Sequence, residues 1–257
     1  MNQELSKISN WLNLNKLSLN IDKSSFMIFT RKKLSMYSTV SMNGRALNRI
    51  YETTFLGVYI DSDLSWKVHV NYIKKKIAKG IGILSKARKT LNSQSLLTLY
   101  YSFIYPYLSY CIEIWGACFN TYINRLFLQQ KRIVRMISNC KRFTHTSPLF
   151  KKLRILTISK LYTYRTLLFW YKFENEKLPK PMYNIFTRRC DVHYYSTRQS
   201  RNMNMPRVCT ESIKHSFIYN AIKIYNKFVN IVNFNVKENI FKKCIRELLL
   251  ENDQYSI

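Results

Sequence analysis

Residues 53–89 read TTFLGVYIDSDLSWKVHVNYIKKKIAKGIGILSKARK, and the spacing of apolar residues changes partway through them. Thr53 to Ile60 is an extended run of β-branched and aromatic side chains that stops at Asp61-Ser62-Asp63. From Ser65 onward the period is helical. Trp66, Val70, Ile73, Ile77, Ile81 and Leu84 fall on one side, and Lys67, Lys74, Lys75, Lys79 and Lys86 line the other. Ser65 can cap this helix, which the pattern carries to about Lys89. The switch divides the chain into a short, strand-rich beginning and a long helical remainder. The fold class expected is α+β: a small, mostly antiparallel sheet followed by a mainly helical region.

Upstream, Glu4 to Asn15 has helical spacing, with Leu5, Ile8, Trp11 and Leu12 on one face. Lys16–Ile21 and Ser25–Thr30 read as extended, and Asn43-Gly44 between two short extended pieces suits a type I′ hairpin turn. Downstream, a helix starting near Ser93 or Ser95 should break or kink at Pro106. Further helices are expected over about Tyr122–Ser138, from Ser147-Pro148, and over Ile158–Lys177, Ser212–Asn230 and Val236–Glu251. Thr187 to Thr210 is polar, basic and aperiodic, and reads as a loop or linker.

The chain has 257 residues, with 42 Lys and Arg against 14 Asp and Glu, a formal charge of +28. Its 47% hydrophobic and 15% aromatic content excludes a disordered tail, so the charge belongs to a folded protein. AT-rich codons would supply Glu as readily as Lys, so codon bias does not explain the imbalance. Such a field attracts polyanions, and nucleic acid is the expected partner. Residues 90–112 carry no charge, but Asn92, Ser93, Gln94, Ser95, Thr98, Ser102, Pro106 and Ser109 among them make a membrane span a poor reading. The N-terminus has no secretion pattern, and the six cysteines form no CxxC pair, so they are expected as reduced thiols in an intracellular protein, nuclear and cytoplasmic both remaining open.

Several chemistries lack their motif. There is no phosphate-binding glycine loop, HExxH or GxSxG. Asp61 and Asp63, the one close acidic pair, read as turn residues rather than metal ligands. Cys190, His193, Cys209 and His215 are zinc-type donors at an unusual spacing, and no metal is assigned to them. The basic helix is the stronger signal, because a lysine-lined side opposite an apolar stripe can follow a phosphate backbone while docked on a core.

An ordered set of segments resembles the reverse transcriptases of non-LTR (LINE, jockey-like) retrotransposons. Asn10-Trp11 and Asn15 to Phe29 resemble the end of the polymerase palm. Phe55-Leu56-Gly57-Val58-Tyr59-Ile60-Asp61, with Leu64 to Val70, resembles the primer grip leading into the thumb. Leu97 to Gly116, Leu128 to Arg135, Pro148 to Leu156, His193 to Arg198 and Ile224-Tyr225-Asn226 resemble later parts, although the family usually has Trp where Tyr225 stands. An organellar intron maturase shares the polymerase core but matches these later segments less well.

The resemblance implies a division into residual palm and primer grip (1–64), thumb (65–140) and helical C-terminal region (141–257). It implies a C-terminal part of an RNA-directed DNA polymerase that grips RNA or an RNA/DNA duplex. Phe55, Leu56 and Gly57 would form the primer grip, and Lys67, Lys74, Lys75 and Lys79 would face the duplex phosphates. Lys23 matches a palm lysine proposed to protonate the leaving pyrophosphate, though a turn lysine explains it equally well. The family's paired catalytic Asp is absent, since no two Asp are adjacent here. Two-metal nucleotidyl transfer needs such carboxylates. The chain alone is therefore expected to bind no cofactor and to be inactive. Mg2+ is expected only in the intact enzyme, with an N-terminal polymerase part as a further partner. The alternatives are a non-enzymatic basic nucleic-acid-binding protein, or a non-functional remnant of a mobile element whose unpaired strands invite aggregation.

Overall fold

The computed structural model describes residues 2–30, 39–192 and 199–252. The chain divides into two compact units, Met1–His69 and Val70–Ile257.

The first unit begins with α1 (Asn2–Leu14) and a single 3-10 turn (Ile21–Lys23). Six short strands follow: β1 (Ser25–Phe26), β2 (Ser41–Met42), β3 (Arg45–Ala46), β4 (Asn48–Arg49), β5 (Glu52–Phe55) and β6 (Val58–Asp61). They form three separate pairs rather than one sheet. β2–β3 and β5–β6 are antiparallel, and β1–β4 is parallel. The β2–β3 turn is Asn43-Gly44, with φ of +51° and +75°, as the dipeptide predicts. A second such turn divides the extended run Thr53–Ile60. Phe55 faces Val58 in the β5–β6 register, and Leu56 and Gly57 have φ of +47° and +80°. The expected single strand is thus a hairpin.

The stripe on α1 does not become a core face. Ile8 is 50% exposed and Trp11 58%, while the buried position is Ser9, whose Oγ donates to Asn43 Oδ1 at 2.7 Å. The helix meets the β2–β3 hairpin through this small polar side chain.

α2 (Lys67–Ala87) opens the helical part. Trp66, Val70, Ile73, Ile77, Ile81 and Leu84 are all buried, so its apolar stripe is the core face the sequence predicts. α3 (Ser93–Phe103) is capped by Asn92, which accepts from Ser95 N at 2.9 Å. The chain breaks at Ile104 and resumes as α4 (Tyr105–Ser109) with Pro106 in its first turn, where a missing N–H costs nothing. α5 (Ile112–Trp115), α6 (Asn120–Ile137) and α7 (Ser147–Lys152) follow.

α8 (Ile158–Glu174) is the axis of the second unit. It packs against α4, α5, α6, α11 (Phe217–Phe228) and α12 (Glu238–Glu251). Its buried residues include Leu161, Tyr162, Thr163, Leu167, Leu168 and Trp170, which between them face every direction, as a central helix requires. Two of its side chains tie it to the neighbouring elements: Trp170 Nε1 donates to Ala221 O at 2.8 Å and Tyr171 OH to Val236 O at 2.8 Å. Gln130 ties α6 to the start of α8, accepting from Ile158 N at 2.8 Å and donating to Leu156 O. Between α8 and α11 lie a second 3-10 segment (Lys180–Ile185), α9 (Arg189–Val192) and α10 (Glu211–Lys214).

Candidate nucleic-acid interface

Lys67, Lys74, Lys75 and Lys79 are exposed along α2, away from the buried stripe. None pairs with a carboxylate among the described residues. Lys75, Lys79 and Lys86 recur at intervals of four and seven, which places them in one row over about 16 Å of helix. Lys76 turns aside and rests on the Tyr72 ring at 5.3 Å. α6 braces this face, because Gln129 Nε2 donates to Lys74 O at 3.3 Å. Residues 64–173 carry 20 Lys and Arg and one acid, Glu113, which is itself paired with Arg165 at 3.6 Å. Little internal charge therefore opposes a bound polyanion.

The start of α2 is held by Asp61. Its Oδ1 accepts from Ser65 N at 2.8 Å and Trp66 N at 3.2 Å, and its Oδ2 accepts from Ser65 Oγ. The sequence pointed to Ser65 as the cap; the acid four residues earlier takes most of that work, and Ser65 Oγ accepts from Lys67 N at 3.3 Å. An Asp61 so engaged is a poor ligand for Mg2+. Among the described residues no three His, Cys, Asp or Glu side chains gather as a metal site. Of the zinc-type set, Cys190 and Cys209 are exposed and His215 Nδ1 lies 2.9 Å from Ala117 O. His193 lies outside the described residues.

Phe55, Leu56 and Gly57 stand at the tip of the β5–β6 hairpin, with Phe55 64% and Leu56 76% exposed. Gly57 occupies the second left-handed position of the turn, where a β-carbon would be strained. Lys23 ends the 3-10 turn, is exposed, and donates its backbone N–H to Asn20 Oδ1 at 3.2 Å.

The arginine-rich segment after Thr187 is partly structural. Arg188 Nη2 donates to Glu174 Oε2 at 2.8 Å and Arg189 Nη1 donates to Gln199 Oε1. Asn226 fastens the same segment by exchanging two bonds with the Met203 backbone, at 2.8 and 3.0 Å. Arg188 is thus engaged in an ion pair with Glu174; Arg198 lies outside the described residues. A different cationic feature went unread. Arg88, Arg132, Arg135 and Arg142 line one cavity of about 800 Å³ at the end of α2. The only advance signal for it was the scarcity of acids around these positions.

Comparison with known proteins finds relatives among RNA-directed DNA polymerases of mobile elements. A probable RNA-directed DNA polymerase from transposon X-element of Drosophila melanogaster is 27% identical over 156 residues, 59% of this chain and 17% of that protein. The RNA-directed DNA polymerase from mobile element jockey of Drosophila funebris is 25% identical over 150 residues, 57% of this chain and 16% of that protein. This chain is homologous to RNA-directed DNA polymerases of non-LTR mobile elements. A third relative, the probable polymerase from transposon BS of Drosophila melanogaster, is 24% identical over 62% of the chain. The chain spans about a sixth of the length of the curated relatives it matches. No family model and no solved structure matches it. No helix among the described residues is long and apolar enough to cross a membrane.

Proposed function

We propose that this chain is the primer-grip and thumb region of a retrotransposon reverse transcriptase, followed by a helical extension, and that it holds a template–primer duplex by its phosphates. The observation that carries this reading is the set of lysines on α2: exposed, without an acidic partner among the described residues, and fixed to a core by a buried apolar stripe. Lysines on a rigid helix bind phosphates as point charges without reading sequence. Lys67, Lys74, Lys75 and Lys79 would make those contacts. Phe55, Leu56 and Gly57 would meet the primer at the hairpin tip, and Lys23 would serve as proton donor once a complete active centre is present.

The chain does not polymerise alone. It has no paired Asp, and Asp61 is engaged at the start of α2, so the Mg2+-holding carboxylates would come from a separate polymerase part. The open apolar residues of the first unit, Trp11, Phe29, Phe55 and Leu56 among them, support such a partner.

The test is binding of a blunt RNA/DNA duplex across a salt series. Affinity should fall steeply with salt, and Lys74→Glu/Lys75→Glu/Lys79→Glu should lower both the affinity and the slope of log K against log salt. Unchanged affinity and slope would remove the thumb assignment. Nucleotide incorporation by the chain alone would remove the prediction of inactivity.

A further inference from the structure

We propose that the four-arginine cavity at the end of α2 is a second nucleic-acid site, which takes a single strand by its phosphates and stacks one unpaired base on Phe143. The proposal goes beyond duplex gripping and uses none of the same lysines.

The cavity is bounded by Ser85 and Arg88 of the α2 end, by Arg132, Arg135 and Met136 of α6, and by Cys140, Arg142 and Phe143 beyond it. Its shape comes from how α6 stops. Asn139 takes φ of +51°, and Cys140 N donates back to Arg135 O at 2.9 Å, a left-handed helix end that reverses the chain. Arg135 Nε then donates to Thr144 O at 2.8 Å and fastens the returning segment. The loop carrying Arg142 and Phe143 is thereby held to the helix that carries Arg132.

No carboxylate pairs with any of the four arginines among the described residues. Four guanidinium groups around one concavity call for an external anion. Their planar donor forks match phosphate oxygens better than lysine would. The second observation is Phe143. At 89% exposure it is the most open large apolar side chain among the described residues, and Arg142 lies over its ring at 5.8 Å. An aromatic face beside guanidinium groups matches a base attached to its phosphate. A duplex keeps its base faces inside the stack, so only an unpaired nucleotide uses both the ring and the arginines. An acidic peptide would satisfy the arginines and leave the ring idle.

The experiment measures fluorescence anisotropy of the full chain with a labelled 12-nucleotide oligo(U) and, separately, with a blunt RNA/DNA duplex. Phe143→Ala should weaken oligo(U) binding by about tenfold and leave duplex affinity unchanged, since the lost stack serves only an unpaired base. Arg88→Glu/Arg142→Glu should weaken oligo(U) more and lower its salt slope, whereas Arg88→Lys/Arg142→Lys should retain part of the affinity. Crosslinking of a 4-thiouridine oligonucleotide should map to the peptide containing residues 141–143. Phe143 is exposed, so its variant keeps the fold, and the crosslink needs no variant at all. Oligo(U) affinity unchanged by both Phe143→Ala and the double Glu variant would overturn the proposal. Competition by poly-Glu peptide as effective as by unlabelled oligo(U) would also overturn it and point to a protein partner. Loss of duplex binding only in the lysine variant, with the arginine variants unaffected on oligo(U), would reject this site and leave the thumb reading intact.

Discussion

The Tyr225 hydroxyl donates to Glu174 Oε1 at 2.7 Å, and Arg188 Nη2 donates to both oxygens of the same carboxylate at 2.9 and 2.8 Å. This single acid joins the end of α8, the middle of α11 and the start of the arginine-rich segment. The Tyr225 ring also packs on Trp170, with centroids 4.5 Å apart. Burial first, and then the bond to Glu174, push the phenol above its ordinary value. Tyr225→Phe should cost about 1 kcal/mol, the usual worth of one such bond. Glu174→Ala should cost more, about 2 kcal/mol, because it leaves Arg188 without its counter-charge. The Arg188 side chain is 34% exposed, and water limits that penalty. In urea unfolding the double variant should lose less than the two single losses added, since both remove one shared interaction. Strict additivity, or no loss from Tyr225→Phe, would show that the network does not act as a unit.

What could be read from the sequence was local. Asn43-Gly44 announced its turn because those residue types accept positive φ, and the α2 stripe announced its buried face because six apolar residues share one helical side. Leu56-Gly57 hid the same kind of turn, since leucine rarely takes φ of +47° and the flanking residues read as one continuous strand. The α1 stripe was recognised as helical but not as open. A sequence pattern states that a face is apolar, not that something covers it. The arginine cavity was out of reach for another reason. Arg88 and Arg142 stand far apart in the chain, and only the packing of α2 beside α6, with the turn at Asn139, gathers them. The Arg188 ion pair was hidden for the same reason, as its partner Glu174 lies on another element. Of the candidate site, then, the lysine row could be read because it lies within one helix, and the rest needed tertiary contacts.

Gly116 stands where α5 meets α8. A β-carbon there would come within 2.5 Å of Tyr162 Cδ2 and of the Ile112 carbonyl oxygen. Tyr162 is buried and cannot swing aside, and the carbonyl belongs to the backbone. The neighbouring Trp115 is fully buried and donates its Nε1–H to Tyr110 O at 2.9 Å, so the segment cannot retreat without breaking that bond. Gly116→Ala should therefore destabilise the second unit by about 2–3 kcal/mol through overpacking, despite the better helix propensity of Ala. Thermal unfolding followed by circular dichroism checks this. A variant as stable as the parent would mean that α5 and α8 are free to separate.

His69 should make the first unit sensitive to mild acid. It is 2% exposed, and its Nδ1 accepts from Tyr59 N at 3.3 Å, which requires an unprotonated nitrogen. Burial pushes its pKa down to about 4, from 6.5 for the free side chain. The unfolded chain therefore takes up the proton at higher pH than the folded one. The stability contributed by neutral His69 is complete above pH 6.5, falls as the pH drops from 6.5 towards 4, and changes no further below 4. The full loss is on the order of 3 kcal/mol. His69→Gln keeps an acceptor for Tyr59 N without a titrating ring. Urea unfolding between pH 4 and 7 should show the parent losing stability through this window and His69→Gln losing markedly less. Equal slopes for the two proteins would mean that His69 takes up its proton in the fold as readily as in the unfolded chain, and that the Tyr59 N–H bond is not what holds the β6 hairpin to the first turn of α2.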